Sequence, residues 1–362
     1  MRRASIGLIG VLWGVFPPPT ASAGEPYLAI RTGLKCSQCH TNRTGGGKRT
    51  VFGTEYAQRV LARRVADLGE GQTLLAPQVA RYLALGADVR VRSTQQFTGE
   101  PKNEIEMGEA NLYIEARLVP ERVTAYADAA LAPGTLRSRE IFVLVGRLPG
   151  KGYVKVGQFF LPYGLRLVDD GEFIRQRTGF TFATADVGVE LGLEPGPLSL
   201  ALAVTNGTQG GAENNSAKQI SALMSVVASD VRVGASASHN EGLTARRDVI
   251  GAFGGLRLGP LAFLGEADLV MDDPPAGRRG DQFAGFIEGN LLVTRGLNAK
   301  VTYGYLDPDR DIGENARIRM RFGADLFIIQ FLQTSLFYTL LDDIPQARTD
   351  RDRVSLELHA FF

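Results

Sequence analysis

Arg353-Val354-Ser355-Leu356-Glu357-Leu358-His359-Ala360-Phe361-Phe362 ends the chain, and its character alternates from one residue to the next. Val354, Leu356, Leu358, Ala360 and Phe362 share one face, while Arg353, Ser355, Glu357 and His359 share the other. Successive side chains of a strand point to opposite sides, so this stretch builds one apolar and one charged surface. The same period of two recurs upstream. In 317–326, Ile318, Met320, Phe322, Ala324 and Leu326 oppose Arg317, Arg319, Arg321 and Asp325. In 81–92, Leu83, Leu85, Ala87, Val89 and Val91 oppose Asp88, Arg90 and Arg92. Val123, Ala125, Ala127 and Ala129 oppose Arg122, Thr124 and Asp128. Strands of about ten residues, apolar outward and charged inward, are the pattern of a transmembrane β-barrel.

About sixteen such segments fit between residue 81 and the end. The connections alternate in length. Tight ones fall at Pro120-Glu121, Pro149-Gly150-Lys151, Pro195-Gly196-Pro197, Ser229-Asp230, Gly259-Pro260 and Arg295-Gly296. Longer polar ones fall at 207–216, 240–246, 272–280, 307–315 and 342–350. Outer-membrane barrels have short periplasmic turns and longer outer loops. A soluble β-sandwich also alternates, but its outer face is polar and mostly uncharged. Here the polar face mixes Arg with Asp and Glu. The sequence therefore predicts an all-β protein whose residues 81–362 form an antiparallel transmembrane barrel of about 16 strands. An even count puts both termini on the periplasmic side or in the lumen.

The longest connection, 161–185, carries Arg166, Asp169, Asp170, Glu172, Arg175 and Arg177. Long connections without regular structure are uncommon and often functional. Two readings stand: an inward-folded constriction lined by these charges, or a solvated surface loop.

Residues 1–23 read as a secretory signal. Arg2 and Arg3 precede a short apolar run over 6–16, and Ala21-Ser22-Ala23 is a small-residue cleavage site. The run is too short to span a bilayer as a helix. Cleavage removes two of the 40 basic residues and none of the 39 acidic ones, leaving a balance of −1. That balance gives no case for a nucleic-acid partner.

Cys36-Ser37-Gln38-Cys39-His40 contains the only two cysteines of the chain and fits C-x-x-C-H, the attachment site of a c-type haem. Cys36 and Cys39 would supply the thioether bonds, and His40 the proximal iron ligand. A redox C-x-x-C is expected beside a βαβ pattern, which is missing here. A zinc site needs two more nearby ligands. Residues 41–53 are polar and Gly-rich, hence irregular. Residues 54–68 read as a helix, with Thr54 as cap and Tyr56, Val60, Leu61 and Val65 at helical spacing. Residues 24–80 thus form a monohaem cytochrome c segment with a linker helix. It is too small to bury a haem alone, which makes the barrel lumen the shelter.

Residues 29–40, with Phe52-Gly53 and Tyr56, resemble the start of the outer-membrane cytochrome–porin fusion family. In that family one N-terminal c-type haem is joined to a porin-like barrel, and its best-known members are implicated in extracellular Fe(II) oxidation. Gln158-Phe159-Phe160-Leu161-Pro162-Tyr163-Gly164 resembles phosphate-selective-type porins, and terminal Phe362 the aromatic end used in outer-membrane assembly. The resemblance implies an outer-membrane protein in contact with lipid that passes electrons between an extracellular donor such as Fe(II) and a periplasmic c-type cytochrome. Its one cofactor is then covalent haem c. Its activity is electron transfer, as in an Fe(II)-oxidising cytochrome, rather than bond-making catalysis.

The sixth iron position has no local candidate, since 41–106 holds no Met or second His. By strand parity Met320 faces lipid, Met107 faces inward near the outer end, and His239 shares the apolar face. His359 faces inward near the short-turn rim and is the candidate distal ligand. Lys35, Lys48, Tyr56 or an open site remain alternatives. A second function class is a solute or anion porin in which the haem segment is a plug or sensor. Inward Arg90, Arg92, Arg317, Arg319, Arg321 and Arg353 could favour anions, although inward carboxylates partner them.

Overall fold

A computed structural model describes residues 25–65, 78–97, 102–243, 245–275, 277–344 and 352–362. Residues 1–23, read above as a secretory signal, and most of the linker before the barrel lie outside the described residues. The strands are β1 (Gln78–Ala80), β2 (Leu83–Gln96), β3 (Lys102–Val119), β4 (Val123–Ala132), β5 (Arg137–Leu148), β6 (Gly152–Phe159), β7 (Asp186–Leu193), β8 (Leu198–Thr205), β9 (Gln219–Ala228), β10 (Val231–Glu241), β11 (Arg246–Leu258), β12 (Leu261–Asp273), β13 (Gly280–Thr294), β14 (Leu297–Asp307), β15 (Ala316–Ile329), β16 (Leu332–Ile344) and β17 (Arg353–Phe361). β2 to β17 pair antiparallel with their sequence neighbours, and β17 pairs back onto β2. This closes a 16-stranded barrel, and closure leaves no unpaired edge. β1 adds a short pairing onto the start of β2.

The predicted alternation is observed. On β17, Leu356 and Leu358 are exposed on the outer wall, whereas Glu357 and His359 are buried inside. On β2, Val89 and Val91 face out while Asp88 and Arg90 are buried. Val143, Val189, Leu202, Ile250, Val301 and Leu336 continue the exposed apolar wall on other strands. A belt of this kind is stable only against lipid. Among the described residues no helix is long and apolar enough to cross a membrane.

The tight turns fall where predicted, and all lie at one end of the barrel with both ends of the described barrel chain. Gly150, Gly196, Gly259 and Gly296 take φ of +51° to +81° in them, a region open to glycine without cost. One inward assignment fails. β3 carries a bulge opposite Arg90 and Val91, so Arg90 faces Glu109 and Val91 faces Met107. One extra residue switches parity, which puts Met107 on the outer wall, exposed.

The lumen is filled from two sides. Three helices precede the barrel: α1 (Pro26–Thr32), α2 (Cys36–Cys39) and α3 (Val51–Tyr56), the last followed by a π-helical turn, Ala57–Leu61. The single helix predicted over 54–68 thus begins earlier and ends by residue 62. Thr50, not Thr54, is its cap, its hydroxyl accepting from the Gly53 amide at 3.1 Å. Between β6 and β7 the connection folds inward and forms α4 (Phe173–Thr178). Tyr27 and Ile30 of α1 meet Leu165, Leu167, Phe173 and Ile174 of that connection, and Phe253, Leu264 and Phe286 of the wall, in one buried cluster. Of the two readings for 161–185, the constriction is the one observed.

Leu336→Arg would put a cation at mid-height on the lipid face of β16. The expected loss is about 2–4 kcal/mol, measured by denaturant titration of vesicle-inserted protein.

Candidate functional site

Charge pairing fixes the N-terminal segment to the inner wall. Arg31 donates to Asn298 and Asn290, both at 2.6 Å. Lys300 holds Glu25 at 2.7 Å and Asp325 at 3.2 Å. Further along, Glu115 accepts from Thr41 at 2.7 Å and Lys48 at 3.1 Å. Asn42 donates to Glu140 at 2.7 Å and accepts from Lys155 at 3.1 Å. Arg43 pairs with Glu194 at 3.1 Å, and Arg49 with Asp88 at 3.4 Å.

Between these anchors lies the glycine run. Gly45, Gly46 and Gly47 have φ of +97°, +84° and +64°. A side chain on Gly47 would meet the Tyr126 hydroxyl at 2.3 Å, and that hydroxyl accepts from the Lys48 amide. On Gly45 a Cβ would stand 3.3 Å from that of Cys36. The run therefore lets the loop turn back closely over Cys36.

Cys36, Cys39 and His40 line one cavity at the short-turn end of the lumen. Its apolar wall includes Leu28, Leu34, Leu61, Leu165, Leu200 and Phe327, and its polar wall Arg43, Arg49, Arg166 and Arg232. Both cysteines are free of disulfide. Burial, reinforced by Cys36, raises the Cys39 thiol to about 11. A redox-active C-x-x-C thiol is normally shifted the other way. Among the described residues no three His, Cys, Asp or Glu side chains cluster as metal ligands do, which leaves the zinc reading without support.

Burial and then Arg49 lower His40 to about 4, so its ring is neutral at ordinary pH. The neutral imidazole is the form that ligates iron. Its Nδ1 is buried without a hydrogen bond of good geometry, while the Gly47 backbone is the neighbour that favours the charged ring. Gly53 sits against the Cys39 carbonyl, which a Cβ would approach to 2.2 Å. Two thiols, a neutral histidine, an apolar wall and a set of guanidinium groups are the parts that a covalent haem with its two carboxylate arms requires.

His359 is placed elsewhere. Its Nε2 lies 2.7 Å from Asp88 and its Nδ1 3.1 Å from Gln333. Both nitrogens are engaged, and the ring is not among the cavity residues. This placement gives no support to His359 as distal ligand: the ring orients Asp88, which in turn holds Arg49. Of the other candidates, Lys35 lines the cavity but donates to the Glu194 and Leu198 carbonyls at 3.2 and 2.6 Å. Lys48 is committed to Glu115 and the Arg49 carbonyl. Tyr56 lines the cavity, with its ring stacked on Phe52 at 6.4 Å. His239, near the outer loops, bonds Asp248 at 2.6 Å.

The inward connection completes the enclosure. Arg166 donates to the Gly45 carbonyl at 3.1 Å and to that of Leu161 at 2.9 Å. Asp169 pairs with Arg321 at 2.7 Å, and Arg319 bonds both Asp169 and Glu172. Most of the inward arginines expected to favour anions are neutralised locally: Arg90 and Arg92 share Glu357, and Arg317 pairs with Asp343 at 3.1 Å, whereas Arg353 enters no ion pair among the described residues. Arg232, with a guanidinium nitrogen 3.6 Å from the Cys36 sulfur, was not legible as a site residue. Nothing in the sequence joins positions so far apart.

With this geometry in hand, the fold can be placed among known ones. The chain has a porin-type outer-membrane β-barrel fold. It is similar to OmpT, an outer-membrane protein of Vibrio cholerae (TM-score 0.62, 11% identity, covering 77% of this chain and 99% of that one). The anion-selective porin from Comamonas acidovorans (0.61, 11%, 77% and 99%) and the outer-membrane channel DcaP of Acinetobacter baumannii (0.61, 14%, 80% and 100%) are comparable. No protein-family model and no curated protein matches the chain.

On the haem-bearing reading proposed below, His359→Ala is expected to leave the visible haem spectrum unchanged. It should lower stability by about 1–3 kcal/mol, because Asp88 loses a donor in a buried setting. Spectra and thermal denaturation of the purified variant test both.

Proposed function

We propose that this is a haem-bearing outer-membrane electron-transfer protein, exported through its N-terminal signal. In this reading both ends of the barrel chain lie on the periplasmic side. It passes electrons between an extracellular donor, with Fe(II) as the first candidate, and a periplasmic c-type cytochrome. One observation carries the reading: Cys36, Cys39 and His40 line a single cavity inside the barrel rather than hanging free of it.

Haem c, held by thioethers to Cys36 and Cys39 and by His40, would supply a one-electron centre. The chain's own residues do the rest. The two cysteines fix position, and neutral His40 offers a nitrogen lone pair. Leu28, Leu34, Leu200 and Phe327 exclude water, which is the protein's lever on potential. Arg166 and Arg232, which line the cavity and enter no ion pair among the described residues, offer counter-charge to carboxylate arms. In this step one electron enters and one leaves.

The transport alternative draws on the fold shared with an anion-selective porin. It requires an open path, yet α1 and the 160–185 connection pack against each other across the lumen. Planar-bilayer conductance is accordingly expected to be far below that of an open porin. A large conductance with a redox-silent haem would favour transport instead.

A visible spectrum of the detergent-solubilised protein, before and after anaerobic Fe(II), with dithionite as reference, tests the proposal. Sharp ferrocytochrome bands with Fe(II) are expected, and Cys36→Ala with Cys39→Ala should yield protein without covalent haem. Bands with dithionite alone would remove Fe(II) as donor; no bands with either would remove the haem.

A further inference from the structure

The two mouths of the barrel handle charge differently. At the long-loop mouth most of the ions are paired: Arg246 with Asp273, Arg247 with Asp272, and Arg278 with Asp309 and Asp311, while exposed Arg137 and Arg310 enter no ion pair among the described residues. At the short-turn mouth a surplus of cations remains. Arg59, Arg63, Arg64, Arg122 and Lys151 are exposed there. Among the described residues none of the five enters an ion pair. Among the described residues the carboxylates of that rim are largely spent, Glu121 on Arg147 and Asp230 on Arg257, which leaves exposed Glu55.

This surplus stands beside the cavity of Cys36 and Cys39. Ala57 and Leu61, on the same turn as Arg59, line that cavity. The Arg63 amide donates to the carbonyl of Phe327, another lining residue, at 2.8 Å, and the Arg64 amide to that of Ile328 at 3.3 Å. Arg295 bonds the carbonyls of Ala62 and Arg59, so the turn is fixed to the rim rather than trailing from it. Next to the arginines, Phe52 and Val60 are 47% and 52% exposed and lie outside the cavity lining. Apolar side chains surrounded by unpaired cations form a typical small docking surface, with a desolvated centre and a charged rim.

We propose that the short-turn mouth, centred on Phe52 and Val60 and ringed by Arg59, Arg63 and Arg64, is the docking surface for a soluble electron-transfer protein with an acidic face. The inference rests on the electron-transfer reading above and adds to it the place of exchange and the charge of the partner. Unpaired cations at the rim raise the encounter rate with a negatively charged partner and orient it, and salt screens the effect. The outer wall takes lipid, and the long-loop mouth is largely neutralised by its own pairs. This rim therefore combines the exposed cations with the shortest approach to the two cysteines. In the exchange one electron passes from one haem to the other, and no bond forms or breaks.

A matched pair of probes tests it: a basic mitochondrial-type cytochrome c, and the same protein made acidic by succinylation of its lysines. Both are titrated against the full-length protein in nanodiscs, with binding read by biolayer interferometry and electron transfer by stopped flow. At low salt the acidic probe is expected to bind and react at least about tenfold faster than the basic one. The advantage should fade as salt rises. In a triple variant, Arg59→Glu with Arg63→Glu and Arg64→Glu, the preference should invert, while Arg310→Glu at the opposite mouth should change nothing. Equal binding of the two probes, or a triple variant that keeps the acidic preference, overturns the docking surface. So does a triple variant that loses only its attachment to phosphatidylglycerol vesicles, which would assign the arginines to lipid. Because binding is read without redox chemistry, a preparation that binds the acidic probe but carries no haem fails the electron-transfer reading alone.

Discussion

The constraint on which the structure depends is the fate of charge inside a closed wall. Sixteen strands that are apolar outward must send their polar positions inward. Many of those positions are Arg, Lys, Asp or Glu, and filling the lumen cuts them off from water. A buried charge without a partner costs several kcal/mol, so whatever fills the lumen must bring the opposite charge to each site. The N-terminal segment does so. Arg43, Lys48 and Arg49 meet Glu194, Glu115 and Asp88, and Glu25 meets Lys300. Buried ion pairs of this kind add little net stability against apolar packing, but they penalise a misplaced partner heavily. Their use here is to fix where the segment sits.

That placement solves the problem of an N-terminal segment with too few residues for a core of its own. Residues 25–65 have helices of seven, four and six residues, none long enough to be stable alone. Their apolar side chains find cover in the barrel instead: Tyr27 and Ile30 under the inward connection, Ala57 against Phe327 and Phe361. The inward connection is held in the same way. Glu140 accepts from both the Phe160 amide and Asn42, so wall, connection and N-terminal segment meet at one carboxylate. Arg166 repeats this link through the Gly45 carbonyl.

Similarity to porins at 11–14% identity reflects the same division. A barrel wall needs alternation, turns and closure, and many sequences meet those needs. The lumen needs particular pairs, and there a porin and a plugged barrel part company without any change in the wall.

The strand pattern, the tight turns and the C-x-x-C-H motif were all legible in the sequence, because each is a local rule. Period two, a turn residue at a set place and five consecutive residues are properties of neighbours along the chain. The bulge that turns Met107 outward was not legible, since a pairing register involves two strands and a one-residue slip leaves little trace in either. The engagement of His359 by Asp88 and Gln333 depends on three strands brought together by barrel closure. Arg232 reaches Cys36 across most of the chain for the same reason. The sequence by itself determined a barrel wall and a C-x-x-C-H motif. The tertiary structure alone decided that the motif lies inside the wall and which side chains surround it, because those contacts join residues that only closure makes neighbours.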